Sequence, residues 1–169
     1  MSQRSATLRT CDRPTILHIV PRFQNDGTMN MVQALLRDLD REKYRVVLCA
    51  LNKGNAADDG LRGLGVKVVV LDMRHWMALK TIWRLARLMK SERVRLVHTH
   101  RARPDFYGRI AGRLAGVPWS VSTQHYVGEW AEKGRVVHIL YRLFFQWTMG
   151  WCDKIIAVST AEKNRLSIT

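Results

Sequence analysis

Three histidines stand where side-chain chemistry is possible. His98 and His100 close the apolar run "VRLVHTH", and His125 follows the run "VPWSVSTQ". Alternation along a strand puts His98 and His100 on one side and Thr99 on the other. Two imidazoles so placed can ligate a metal, exchange protons, or pack with hydrogen bonds. A metal would take His125 as a third ligand, but no carboxylate cluster follows and no CxxC occurs, so no metal is expected. The packing reading places His98 in the strand interior and lets His100 reach a crevice. His125, in "STQHYVGEW", is the best single candidate for a functional side chain, because imidazole can donate to a phosphate or a sugar hydroxyl near neutral pH. Arg101 and Arg103 can grip a phosphate or carboxylate by bidentate contact; the alternative is that they are only solvated.

A second candidate is the turn "PRFQNDGTMNM". A strand, a turn with Asp26-Gly27 and a helix start would leave free backbone N–H groups and the positive end of the helix dipole facing the turn. Gly27 lets a ligand approach the backbone. Neither GxGxxG nor GK[ST] is present, and the Asp26 carboxylate would repel a phosphate. A purely structural turn, with Asp26 or Thr28 as the cap, stands equally open. Ser159 to Glu162, "STAE", has the pattern of a capping box, with Ser159 at the N-cap.

The segments that must position these residues alternate in type. "TILHIVP" reads as a buried strand, and "TMNMVQALLRDLD" as a helix with Met31, Leu35, Leu36 and Leu39 in step. "YRVVLCAL" is a strand, "GNAADDGLRGLG" a loop with a short helix, and "VKVVVLD" a strand. "WMALKTIWRLARLMKSE" is a helix with Trp76, Leu79, Ile82, Trp83 and Ala86 on one side and Lys80, Arg84 and Arg87 on the other. Then come strand "VRLVHTH", helix "PDFYGRIAGRLAG", strand "VPWSVSTQ", the apolar stretch "VVHILYRLFFQWTMGW", strand "DKIIAVS" and helix "TAEKNRLSIT". Strands that are continuous apolar runs, alternating with helices, predict a parallel sheet covered on both faces: a doubly wound, Rossmann-like α/β domain. In such a sheet, ligands bind outside the carboxyl ends of the strands. The turn after Val20, the loop after Leu51, and the segments 98–103 and 124–128 are those ends.

The chain has 169 residues, which suits one domain at 14–169 with a polar, aperiodic tail at 1–13. Apolar residues make up 47%, which excludes a disordered chain. Its three cysteines are odd in number and far apart, which favours a reducing compartment. No apolar run reaches the roughly 20 residues of a bilayer span, and the N-terminus lacks the apolar core of a signal peptide. A cytoplasmic protein follows as the expectation. The net charge is +14, and between Arg74 and Arg113 eleven Lys/Arg face only Glu92 and Asp105. That field attracts nucleic acid, anionic lipid or phosphorylated small molecules; a merely soluble surface explains it equally simply. Nucleic acid is disfavoured, because no RNP-like or helix-turn-helix pattern occurs and the aromatics sit within apolar runs. A basic nucleic-acid-binding α/β module, or an inert remnant or adaptor, remains the alternative. The aromatics of "VVHILYRLFFQWTMGW" and the Lys80, Arg84, Arg87 stripe also suit a peripheral position on an anionic membrane face, with core packing the competing account.

From Thr15 onward the chain resembles the N-terminal domain of glycosyltransferase family 4, whose members are retaining enzymes of two Rossmann-like lobes (the GT-B fold). The resemblance is carried by "ILHIVPRFQNDGTMNMVQALLRDLDREKYRVVLCAL", "LVHTHRARPDFYGRIAGRLAGVPWSVSTQH" and "CDKIIAVSTAEKNRL". It implies an acceptor-binding lobe, with a nucleotide-sugar donor as substrate, a glycan or lipid-linked acceptor, and no bound cofactor. Gly27 would lie near the donor diphosphate, although the family's usual Gly-Gly is Asp26-Gly27 here. His125 would line the reaction centre, His100 the crevice end of the HxH strand, and Ser159 the segment heading toward the other lobe. Arg101 and Arg103 would then wall the acceptor cleft. The family's C-terminal donor lobe is not in this sequence, so the expectation is a chain inactive without that lobe, in cis or in trans.

Overall fold

The computed structural model describes residues 13–54, 61, 63, 65–73, 79–124, 135–160 and 163–164. Six strands form one parallel sheet: β1 (Thr15–Arg22), β2 (Arg45–Asn52), β3 (Lys67–Val70), β4 (Val94–His100), β5 (Trp119–Gln124) and β6 (Lys154–Ala157). The described helices are α1 (Gly27–Asp38), α2 (Leu79–Ser91), α3 (Ala102–Ala115) and α4 (Arg135–Met149). The strand order is β3-β2-β1-β4-β5-β6. Winding therefore proceeds outward from β1 in one direction and restarts at β4 in the other. The doubly wound, Rossmann-like architecture is the one expected. The short helix expected between β2 and β3 falls largely outside the described residues, as do Trp76, His125 and Glu162, and residues 1–12 of the tail. Arg13 is half-buried and donates to the Arg41 carbonyl.

Strand alternation builds two cores. Leu17 and Ile19 of β1 and Val47, Cys49 and Leu51 of β2 face α2 and α3, meeting Leu85, Met89, Tyr107 and Ala111. The intervening Val20, Val46, Leu48 and Ala50 face α1, meeting Met29, Val32 and Leu36. Leu17, Ile19, Leu48, Leu51 and Leu85 are wholly buried. Each contributes about 1.5–3 kcal/mol of transfer free energy. Glu92, just after α2, pairs with Arg45 and Lys67 and so joins the starts of β2 and β3 to the approach to β4.

Two helices sit differently from their predicted faces. In α1 the buried residues are Thr28, Met29, Val32 and Leu36. Leu35 is exposed, because it lies about 100° round the axis from Leu36. In α2 the buried stripe is Thr81, Ile82, Leu85, Ala86 and Met89. Leu79 and Trp83 lie outward, 81% and 59% exposed. Leu79 belongs to the first turn, and Trp83 is about 100° from Ile82, so neither reaches the sheet. The helix α3 begins at Ala102, two residues before the predicted start. Pro104 in its first turn costs nothing there, since the first N–H groups have no intrahelical acceptor.

The approach of α3 to β4 is set by Gly108. A Cβ there would lie 2.4 Å from Thr99 Cγ2 and 3.2 Å from Ile19 Cδ1. Four residues on, a Cβ at Gly112 would make its closest contact at 3.5 Å, with Val97 Cγ1. The two helical glycines should therefore answer oppositely to the same change. Gly108→Ala should destabilise by roughly 1–3 kcal/mol through overpacking. Gly112→Ala should be neutral or stabilising by up to about 1 kcal/mol through helix propensity. Urea-unfolding midpoints of the two variants check this, and equal losses would show that α3 does not rest on β4 through Gly108.

Candidate functional site

The carboxyl ends of β1, β4 and β5 are neighbours at the point where the strand order reverses, which is where open α/β sheets hold ligands. Three turns leave this edge. After β1 the chain turns through Asp26, whose carboxylate caps α1 by accepting from the Met29 N–H at 2.9 Å. Gln24 also donates to that carboxylate. After β4 the backbone passes through Arg101 in the left-handed region, at φ 76°. After β5 the chain continues from Gln124 to His125.

These turns are tied to one another. The Arg101 guanidinium lies 3.5 Å from the Asp26 carboxylate, and its backbone N–H donates to the Thr123 carbonyl at 3.1 Å. One residue therefore connects all three strand ends. The objection that Asp26 would repel an anion is weakened, since its charge faces Arg101 and its oxygens are engaged by a cap. Gly27, the first residue of α1, is exposed, and a Cβ built on it would meet nothing within 4 Å. Open space thus adjoins the residue expected near a diphosphate. Arg103 is half-buried on the first turn of α3, close to Tyr107. Burial raises the Tyr107 phenol above its ordinary range, while Arg103 pulls it down.

His98 and His100 do share one side of β4, with ring centroids 4.2 Å apart. His98 is buried and bonded through Nε2 to Thr123 Oγ1 at 2.8 Å, as the packing reading has it. His100 differs from its expected open position, being wholly buried. The cause is His18 of β1. It lies in register with His98, stacks on His100 at a centroid distance of 5.4 Å, and its Nδ1 lies 3.1 Å from His100 Nε2. The strand-borne partner covers the imidazole that was expected to face a ligand. The three histidines form the one described His/Cys/Asp/Glu group able to hold a metal ion, with ligand-capable atoms within 4.8 Å of one another. Sequence reading passed over His18. The usable signal was an imidazole inside a continuous apolar strand, which must find a hydrogen-bond partner.

A second missed residue is Asp105 on the first turn of α3. Its carboxylate is 1% exposed and accepts from Thr99 of β4, Ser122 and Gln124 of β5, and Arg109 one turn on. The distances from Ser122 Oγ and Arg109 are 2.8 and 3.2 Å. Burial raises the Asp105 carboxyl, with Arg109 and the other three donors acting against it. The signal here was the Asp105–Arg109 pair at i, i+4, with Asp105 the one acidic residue of the helix. Through it, the side chain of Gln124, immediately before His125, is fixed. Ser159 begins the segment after β6, and its carbonyl accepts from the Lys163 N–H at 3.0 Å.

Known proteins resemble this chain in sequence and in fold. The sequence model of Glycosyltransferase Family 4 matches residues 25–167. The UDP-Gal:alpha-D-GlcNAc-diphosphoundecaprenol alpha-1,3-galactosyltransferase of Escherichia coli is 31% identical over 107 residues, covering 62% of this chain and 28% of the relative. Among solved structures, the apo form of the lipopolysaccharide outer core galactosyltransferase WaaB superposes with a TM-score of 0.66 at 11% identity. The match covers 91% of this chain and 42% of that one. The S. aureus MnaA–UDP complex superposes at 0.59 and 14% identity, with 92% and 40% covered. At these identities the structural matches establish the fold. The chain spans less than half the length of each of these relatives.

The histidine cluster makes stability depend on pH. Burial, then the neighbouring His98, then Arg41, lowers His18 from 6.5 to about 3. The unfolded chain binds this proton below pH 6.5 and the folded chain only near pH 3, so stability is full above 6.5 and falls as pH drops toward 3. From this group alone, the loss between pH 8 and pH 5 should be about 2 kcal/mol. Urea unfolding at the two pH values measures it, and His18→Gln should remove most of the difference. An unchanged difference in that variant would show that His18 is not the group responsible.

Proposed function

The chain belongs to glycosyltransferase family 4, and we propose that residues 14–169 form the acceptor-binding lobe of a retaining sugar transferase. The donor is a nucleotide sugar and the acceptor a glycan or a lipid-linked saccharide. The observation that carries this reading is the family match over residues 25–167, combined with three tied turns at the reversal point of the sheet. The galactosyltransferase relative, whose name specifies a diphosphoundecaprenol-linked sugar, supports a lipid-linked acceptor.

In this reading Gly27 admits the donor diphosphate to the start of α1, where backbone N–H groups and the helix dipole favour it. Arg101 holds the turn in place through Asp26, and Arg103 stands on the acceptor side. His125 is the reaction-centre histidine, donating to or accepting from a reacting sugar hydroxyl. His100 supports this edge from below, through His18, and the acceptor contact first expected of it passes to its neighbours. No metal or other cofactor is assigned to the reaction. The donor lobe completes the site, so the chain by itself is inactive.

A membrane surface is the second element of the proposal. The outward face of α2 carries Lys80, Arg87 and Lys90 beside exposed Leu79 and Trp83, while the Arg84 guanidinium turns back to donate to the Leu71 carbonyl. The Arg87 guanidinium lies 3.9 Å from the Trp83 ring centroid. Cations flanking exposed apolar side chains suit the headgroup region of an anionic bilayer. No described helix is long and apolar enough to cross a membrane. The exposed cations and apolar side chains of α2 support a peripheral position on an anionic membrane surface.

Two measurements test these statements. With a donor lobe supplied in cis or in trans, transfer from a radiolabelled nucleotide sugar should fall by at least about 100-fold in His125→Ala. Residues 1–169 alone should give none. Turnover by the lone chain, or full activity in the variant, would end the respective claim. In vesicle sedimentation the protein should bind phosphatidylglycerol-containing vesicles and not phosphatidylcholine ones. Lys80→Glu with Arg87→Glu should weaken that binding at least tenfold, at about 1 kcal/mol per cation before the reversed charges add repulsion. Equal binding to both vesicle types would exclude the anionic-surface reading.

A further inference from the structure

Three of the helices share one face of the sheet. The connections β3–α2–β4, β4–α3–β5 and β5–α4–β6 all step in the same direction along the strand order. Right-handed crossovers then set α2, α3 and α4 on one side, opposite α1. The packing agrees. α2 and α3 meet the same side of β1 and β2, and α4 rests on α3 where Phe145 and Thr148 meet Arg109.

The outer surface of this helix layer is one-sided in charge. α2, α3 and α4 carry four, three and two Lys/Arg, and between them one acidic residue. That residue is Asp105, which is buried. The three helices thus present cations to solvent, among them Lys80, Arg87 and Arg113, and no carboxylate. On α4 the side turned away from α3 is apolar. Ile139, Leu143 and Trp147 follow at four-residue intervals, so they stand in one row, and they are 49%, 59% and 64% exposed. Trp147 also belongs to a series of touching rings. Centroid distances are 4.3 Å from Phe106 of α3 to Phe144, 5.5 Å from Phe144 to Trp147 and 4.8 Å from Trp147 to Trp151. These neighbours limit the rotamers of the indole before anything binds, so less side-chain entropy is lost on contact.

An exposed apolar row in a cationic layer fits a surface that offers hydrocarbon beneath negative charge, which is the headgroup boundary of an anionic bilayer. Indole suits that boundary, because it has an apolar body and a polar N–H. A second copy of this chain is disfavoured as the cover, since each copy carries a net charge of +14.

We propose that α4 is a membrane-inserting element, whose Ile139, Leu143 and Trp147 enter the acyl boundary of the bilayer that the α2 cations approach. The inference rests on the membrane reading given above for α2 and adds a depth and an orientation to it. The α2 cations supply attraction at a distance, and the α4 side chains bury apolar surface at contact. The whole helix layer then faces lipid, and the α1 side of the sheet faces water.

The test uses the full chain and vesicles of phosphatidylcholine with or without phosphatidylglycerol, some carrying lipids brominated along the acyl chain, which quench indole fluorescence at short range. Brominated lipid should quench the wild-type protein. Trp147→Phe should lose most of that quenching, and Trp119→Phe none. Trp119 is the internal control, because Ser122 meets Asp105 on the α3 side and strand alternation turns Trp119 the other way. Leu143→Ser with Trp147→Ser should weaken vesicle binding at least about tenfold, from the apolar area no longer buried. Both side chains face water in the free protein, and an unchanged thermal midpoint checks that the variant is folded. The two membrane statements fail separately. Equal binding to both vesicle types with Trp147 quenched would end the charge reading of α2 and support the insertion. Charge-dependent binding without quenching of Trp147 would overturn the insertion and leave the α2 reading standing. Quenching that is lost in Trp119→Phe instead would put lipid on the opposite face, where Ile156 is also exposed, and would overturn the proposal too. Binding to neither vesicle type would overturn both statements.

Discussion

A carboxylate removed from water must be surrounded by donors, and Asp105 is surrounded from three elements at once. Its oxygens accept from β4, from β5 and from its own helix α3. Removing Asp105 alone would leave Arg109 as a buried, uncompensated charge, a change that typically costs 3–5 kcal/mol. Removing the donors would leave the carboxylate in the same position. The arrangement therefore admits few alternatives. α3 can lie on the sheet only where Asp105 meets Thr99, Ser122 and Gln124 together, and Gly108 lets the two backbones come that close. Apolar burial supplies most of the free energy of packing. The polar network selects one register of α3 against the sheet.

The same requirement for satisfaction shapes the other side of β4. His18, His98 and His100 are buried among strands that otherwise carry apolar residues, and they meet one another and Thr123. Neutral imidazole can serve this role because it offers one donor and one acceptor without the desolvation cost of a charge. The outcome is a rigid floor beneath the turns that leave β1, β4 and β5. Above it, Arg101 joins those turns through its ion pair with Asp26 and its backbone hydrogen bond to Thr123. The immobile part of the edge is thus built from groups first suspected of touching ligand. The accessible part among the described residues includes Gly27.

Charge is distributed to match. The cations of α2 lie outward on one face, while those at the strand ends are paired or half-buried, as Arg101 and Arg103 are. A net charge of +14 on a chain of this size acts on whatever approaches. It has no part in specifying the fold, which depends on the uncharged interior and on the Asp105–Arg109 pair. The family match and the geometry concern different things. The match states which enzymes the chain is kin to, and the geometry states which of its described residues are buried and which are exposed.

The sequence by itself determined the α/β alternation, the parallel sheet, the positions of the strand carboxyl ends, and the likeness to glycosyltransferase family 4. These follow from periodicity, from turn residues and from short ordered motifs, all local along the chain. It misassigned Leu35, Leu79 and Trp83, because a periodic stripe fixes a helix face only to within one residue either way. It also left His100 open and ignored His18 and Asp105. Only the tertiary structure decided those three. Whether a polar side chain faces water or a partner depends on residues 82 positions away, as for His18 and His100, or 17 and 19 away, as for Asp105 with Ser122 and Gln124. Strand order and register bring such residues together, and neither quantity is written in any local stretch of sequence.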